Sequence, residues 1–203
     1  NSWKYSCIKE ISLFDRIVVK FPKMSKPYRY LKLQRVMIGI ERIFELSELV
    51  SVSLLEELSP ISEELSINKT TTEIDTDDPI PYLFQRKQPI SLYHGDNLLG
   101  VSYLDKGTRK SETQYTIESF DAVGVLDESE FKGGIYQETS ITDILDAIFQ
   151  GTYLSYQLDP AFGDTKITGW IPKSTRREAL QLVAFSVGAV VSTARSDKVN
   201  IYS

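Results

Sequence analysis

The chain has 203 residues, 41% hydrophobic and 25% charged, the balance of an ordinary globular protein rather than a disordered or fibrous one. Cys7 is the only cysteine and His94 the only histidine. This excludes an intrachain disulfide framework, a cysteine-based zinc or iron–sulfur site and a multi-histidine metal site within one chain, and a Ser-His-Asp triad would have to run through His94. A chain of this length buries roughly 70% of its unfolded surface, so it supports a core without covalent staples. The longest mostly apolar stretch, residues 180–191, is interrupted by Gln181, Ser186 and Gly188 and is too short for a bilayer span; no segment reads as a signal peptide. The chain lacks an initiator Met and stops just after a strand-like run, which points to part of a longer polypeptide.

The net charge of −5 hides a segregation. Residues 1–40 carry nine Lys/Arg against Glu10 and Asp15, and residues 41–80 carry only Arg42 and Lys69 against eleven acids. Neighbouring strands of complementary charge account for this better than a phosphate-binding arm beside an acidic stretch.

Up to about residue 125 the chain reads as strands. Residues 17–20 and 28–36 are rich in β-branched and aromatic residues around Pro22 and Pro27. In residues 40–58, Leu46, Leu49, Val50 and Leu54 fit a helix face, but Val50-Ser51-Val52-Ser53-Leu54 alternates strictly, so the second half is expected as a strand. Ser59-Pro60 ends it, and a second extended run is expected over residues 61–74. A hairpin follows, with strands over 89–93 and 98–104 and a turn at His94-Gly95-Asp96-Asn97, and another strand over 114–120. From residue 126 the pattern becomes helical. Ser140-Ile141-Thr142-Asp143 starts a helix with Ile141, Ile144, Leu145 and Ile148 on one face and a stop at Gly151. Thr175-Arg176-Arg177-Glu178 starts another, with Leu180, Val183, Ala184 and Val187 buried and Gly188 at its end, before a hairpin over 189–193 and 199–202.

Little of this composes an active site. His94 reads as a surface turn residue, and Asp75-Thr76-Asp77-Asp78-Pro79 lacks the glycine and terminal glutamate of a calcium loop. Glu56-Glu57 and Glu63-Glu64 are adjacent pairs, which point to opposite faces of a strand. Gly133-Gly134 lacks the other residues of a phosphate-binding loop. Arg176 and Arg177 oppose the dipole at a helix start, so they are expected exposed, or in an ion pair or acidic interface. No catalytic residue, cofactor or metal is expected.

Several stretches carry a resemblance. They are Leu55-Glu56-Glu57-Leu58-Ser59-Pro60-Ile61-Ser62-Glu63-Glu64-Leu65 with Ile67-Asn68, then Gln88-Pro89-Ile90 and Leu99-Gly100-Val101-Ser102-Tyr103-Leu104. Ser119-Phe120-Asp121-Ala122-Val123-Gly124-Val125-Leu126-Asp127 and Phe131-Lys132-Gly133-Gly134-Ile135-Tyr136 follow, and Gly169-Trp170-Ile171-Pro172 leads into the second helix. Over about residues 30–203 the chain resembles bacteriophage tail hub or baseplate proteins, the tube-like barrel family that also occurs in type VI secretion spikes. The resemblance implies an α+β, mainly β fold: a tail-tube-like split β-barrel over residues 1–125, then a small α/β domain with two helices over residues 126–203. It implies a non-enzymatic structural part of a prophage-derived tail, made in the bacterial cytoplasm. The expected partners are two further copies in a homotrimer, the tail tube and the tip, with DNA passing without specific binding and no membrane insertion. Two alternatives stay open: a tail-associated cell-wall hydrolase using paired carboxylates, and a carbohydrate- or receptor-binding module using Trp170 and Tyr153.

Overall fold

Alternation of apolar and hydroxyl residues builds the first half of the fold. The computed structural model describes residues 44–57, 64–80 and 84–203, all within the unit Ile43–Ser203. The strands expected over 17–20 and 28–36, the basic segment, Cys7, Ser59-Pro60 and the start of the run at 61–74 lie outside the described residues. Strands β1 (Leu49–Leu54), β2 (Lys69–Asp75), β3 (Pro89–His94), β4 (Asn97–Arg109) and β5 (Gln114–Phe120) form one antiparallel sheet in the order β1-β2-β5-β4-β3. The second strand begins later than expected, at Lys69, and β4 runs beyond Leu104 to Arg109.

On one face, Thr70, Thr72 and Ile74 of β2 lie beside Tyr115, Ile117 and Ser119 of β5, all buried. Ile74, Leu104 and Ile117 form a small core there with Phe44, Leu49, Phe84 and Ile90 around it. Leu54 on one outer strand and Leu92 on the other line the same small pocket, with Thr70 and Ser102 between them. The sheet therefore curls toward its apolar face, giving a half-barrel.

The second half holds the larger core. Helix α1 (Ala122–Asp127) leads into short strands β6 (Glu130–Phe131) and β7 (Gly134–Ser140), then α2 (Ile141–Phe149), β8 (Tyr156–Leu158), β9 (Lys166–Ile171), β10 (Ser174–Thr175), α3 (Arg176–Val187), β11 (Val190–Ser192) and β12 (Val199–Tyr202). β10 pairs with β6, β7 with β9, and β12 lies between β11 and a parallel β8. Ile141, Ile144, Leu145 and Ile148 of α2 and Leu180 of α3 are fully buried, on the faces that their spacing predicts. Val187, expected in that stripe, packs at its margin. The capping box at Thr175 forms: the Glu178 amide donates to Thr175 Oγ1, and the Thr175 amide donates to Glu178 Oε2.

The fold is α+β and mainly β, with three helices among the described residues where two were expected. The added helix is α1. Its residues Ala122-Val123-Gly124-Val125-Leu126 set the good helix formers Ala and Leu against two valines and a glycine over less than two turns, too short for propensity to hold, but all five are buried, so packing decides their conformation. Gly124 is required there because a Cβ would run into the Phe120 ring and Ile67. Gly133 has φ +75°, and a Cβ would meet the carbonyls of Ile171 and Pro172, so this glycine serves a tight crossing between β6 and β7.

Candidate functional site

The outer face of the half-barrel is a polar wall. In register across β1, β2, β5 and β4 lie Ser51, Glu73, Thr116 and Thr108, and beside them Ser53, Thr71, Glu118 and Lys106. Period-two alternation produces this wall from the same strands whose other face forms the small core. Lys110 Nζ donates to Glu73 Oε1 at 2.6 Å, and Ser51 Oγ donates to Glu73 Oε2 at 3.3 Å. Those contacts, the Lys110 hydrogen bond first, hold the Glu73 carboxyl below its ordinary range. Asp75 is held low by hydrogen bonds from Gln114 and then Thr113. At these positions the wall is rich in small hydroxyls, and its acids Glu73 and Glu118 stand beside the lysines Lys110 and Lys106.

Both edges of this sheet are free among the described residues. β1 exposes Val50 (62%), Val52 (45%) and Leu54, and β3 exposes Tyr93. An unpaired strand with apolar side chains invites pairing with another chain.

The acidic run does not form one belt. Glu73 and Asp75 stand on or beside the polar wall, Glu64 reaches Arg177, and Glu56 and Glu57 line a cavity against β11. Glu63 lies outside the described residues. His94 is exposed where β3 turns into β4. The Asp75 to Asp78 loop is closed by its own bonds, Thr76 Oγ1 donating to the Asp78 carbonyl at 2.7 Å. Among the described residues no three His, Cys, Asp or Glu side chains come together as a metal site.

Arg176 and Arg177 are not exposed as the default reading had them. Arg176 donates to the carbonyls of Ala147 and Ile148 at the end of α2, so one helix's C-terminal carbonyls compensate the charge that opposes the other's dipole. Arg177, with its side chain 16% exposed, donates through Nε to the Leu65 carbonyl at 2.7 Å and contacts Glu64 and Asp127. These two arginines tie α3 to α2 and to the chain entering β2. Replacing Arg177 with alanine removes charge-assisted bonds to a partly buried carbonyl, with an expected loss of about 2 kcal/mol in denaturant unfolding and faster amide exchange over 64–68. Unchanged exchange there rejects the tether.

Sequence reasoning missed Asp121. It is buried where β5 ends, accepts from the Gly124 amide at 3.2 Å and from Thr193 Oγ1 at 2.8 Å, and so joins the sheet, α1 and the segment after β11. Burial raises its pKa against the opposing effect of these bonds, the Thr193 bond foremost. An isolated Asp before a β-branched stretch has the form of a helix N-cap, but α1 has no periodicity to draw attention to it. Tyr103 nearby is pushed up to about 12 by burial, then by Tyr153, Asp197 and Asp121. Its ring lies 5.5 Å from that of Tyr153, so Tyr153 is partly occupied by an internal contact. Trp170 is 70% exposed and faces Ile135 across the β7–β9 pair.

Comparison with solved structures gives this architecture a context. The 43 kDa tail protein of prophage MuSo2 from Shewanella oneidensis matches with a TM-score of 0.52 at 14% identity, over 70% of this chain and 47% of that one. The fold is that of prophage tail proteins. The tail protein from Neisseria meningitidis MC58 matches with a TM-score of 0.50 at 12% identity, over 66% of this chain and 41% of that one. The chain thus spans less than half the length of either tail protein. No family model matches it, and no curated protein does. No helix among the described residues is long and apolar enough to cross a membrane.

Proposed function

We propose that this chain is a non-enzymatic structural part of a phage tail hub or baseplate, forming part of a ring that connects the tail tube to the tip. The observation that carries the reading is a tail-protein fold whose half-barrel has two edges unpaired among the described residues and a polar outer wall. A ring of copies gives each edge a neighbour, and a homotrimer with a tube-like barrel over 1–125 and a small α/β domain over 126–203 fits it. On the hydroxyl-rich wall Lys106 and Lys110 stand beside Glu118 and Glu73, so each cation has an acid for a neighbour, phosphates meet no uncompensated cationic cluster, and DNA slides past without specific binding. The product belongs in a prophage-derived virion tail after synthesis in the bacterial cytoplasm.

Immunogold electron microscopy of particles from an induced lysogen tests this. Label at the distal end of the tail tube is the expected result. Tails without label, together with clearing of bacterial cell walls by the chain in a zymogram, overturn the proposal in favour of a hydrolase. A glycan- or receptor-binding module is favoured by one observation, the exposed Trp170–Ile135 pair, and glycan-array binding that Trp170→Ala abolishes would support it.

A further inference from the structure

A cavity of about 410 Å³ lies between β11 and the chain on either side of the β1–β2 connection. One side is the strand β11, continued by Thr193 and Ala194 and joined by Asn200 and Tyr202 of β12. The other is formed by Glu56, Glu57, Leu65, Ser66 and Asn68, with Asp121 also in the lining. β11 pairs with β12 along one edge. Along the other, Arg195 donates to the Leu99 carbonyl and Ala194 bridges to Gly100, so β4 covers only the segment beyond the strand. The Val190 to Ser192 stretch has no backbone partner on that side among the described residues.

A strand edge open among the described residues and bordering a cleft has one chemical complement. It offers a row of main-chain N–H and C=O groups, and an added strand satisfies them at a spacing of about 4.8 Å. The volume is within the roughly 300–1,000 Å³ that ligand clefts span, enough for a short extended segment rather than a folded partner. Charge selects the segment: Glu56 and Glu57 are exposed in the lining, Asp121 is there too, and Arg195 is the only basic side chain in it among the described residues. We infer that the free edge of β11 binds an extended peptide segment of basic character by strand addition, opposite Glu56 and Glu57. This does not depend on the tail reading.

The test uses the whole chain and a fluorescein-labelled octapeptide alternating lysine and valine. Saturable binding by fluorescence anisotropy is expected, with slowed amide exchange confined to β11 and its flanks. The alternating glutamate–valine octapeptide binds more weakly, and exchanging both surface acids in the variant Glu56→Lys/Glu57→Lys weakens the lysine peptide by roughly fivefold. Both acids are exposed, so this variant folds and the comparison holds. Unchanged exchange over Val190–Ser192 at saturating peptide overturns the inference. Equal binding by an octapeptide N-methylated at alternate residues, which cannot extend a sheet, overturns it as well.

Discussion

Leu180→Ala lowers the unfolding free energy by about 3 kcal/mol and the midpoint of thermal unfolding by roughly 6–12 °C, as read by calorimetry or circular dichroism. Leu180 is completely buried in the core that α2 and α3 share with Tyr103 of β4, Val191 of β11 and Val199 and Ile201 of β12. Truncation forfeits the transfer free energy of the lost carbons, and the cavity stays open because the surrounding residues belong to separate helices and strands that cannot all move inward. Leu182, two residues on and exposed, is the control: Leu182→Ala stays within about 0.5 kcal/mol of the parent. Equal effects at the two positions would mean that α3 does not present the face described.

Asp121→Ala removes the N-cap of α1 and leaves Thr193 Oγ1 without its acceptor, with an expected loss of about 2 kcal/mol. Asp121→Asn keeps an acceptor for the Gly124 amide, costs less and removes the titration. Its pH dependence has a definite sign. Burial raises the folded-state pKa above the unfolded value, so the folded chain binds this proton more tightly. The associated stabilisation is complete below about pH 4 and is lost as pH rises through the raised value. Glu73, Asp75 and Asp159 are held low and act in the opposite sense, stabilising above the ordinary carboxylate range and losing that contribution as pH falls through their lowered values. The difference in stability between the parent and Asp121→Asn isolates the buried group. It declines as pH is raised from about 4 to 7 in urea titrations, and a difference that is flat or grows with pH rejects the assignment.

The exposed apolar side chains of β1 bear on solution behaviour. Val50, Val52 and Leu54 stand on an edge with no partner among the described residues, and an unpaired edge of this kind favours self-association unless it is covered. The polar wall on the other side of the same sheet is built from residues one position away, so one alternating pattern serves both an apolar core and a hydrated surface.

Legibility in the sequence followed the range of the interactions. β5 has the bounds expected from its alternation, and the hairpin of β3 and β4 follows its turn at Gly95, which has φ +59°. α2 and α3 start at the caps that Ser140 and Thr175 announce. These signals lie within a few residues of one another, and local physics decides them. β7 and β9 had no such signal, because their pairing spans α2 and a bulge at Glu138 with φ +51°. β8 is three residues long and exists because β12 runs parallel to it. The two arginines illustrate the same limit. Read along the chain they oppose a dipole, and only the approach of α2 and Leu65 gives them acceptors.

By itself the sequence determined the strand-rich character of residues 49–120, the two longer helices with their buried faces, and the scarcity of histidine and cysteine that removes most metal and triad chemistry. Periodicity, caps and composition are written within a few turns of chain, so they can be read without the fold. Tertiary structure alone decided α1, the burial of Asp121, the splitting of the acidic run among three surroundings and the open edge of β11. Each depends on which distant segments exclude water from a given group, and that free energy is set by packing across the whole unit rather than by neighbours in the chain.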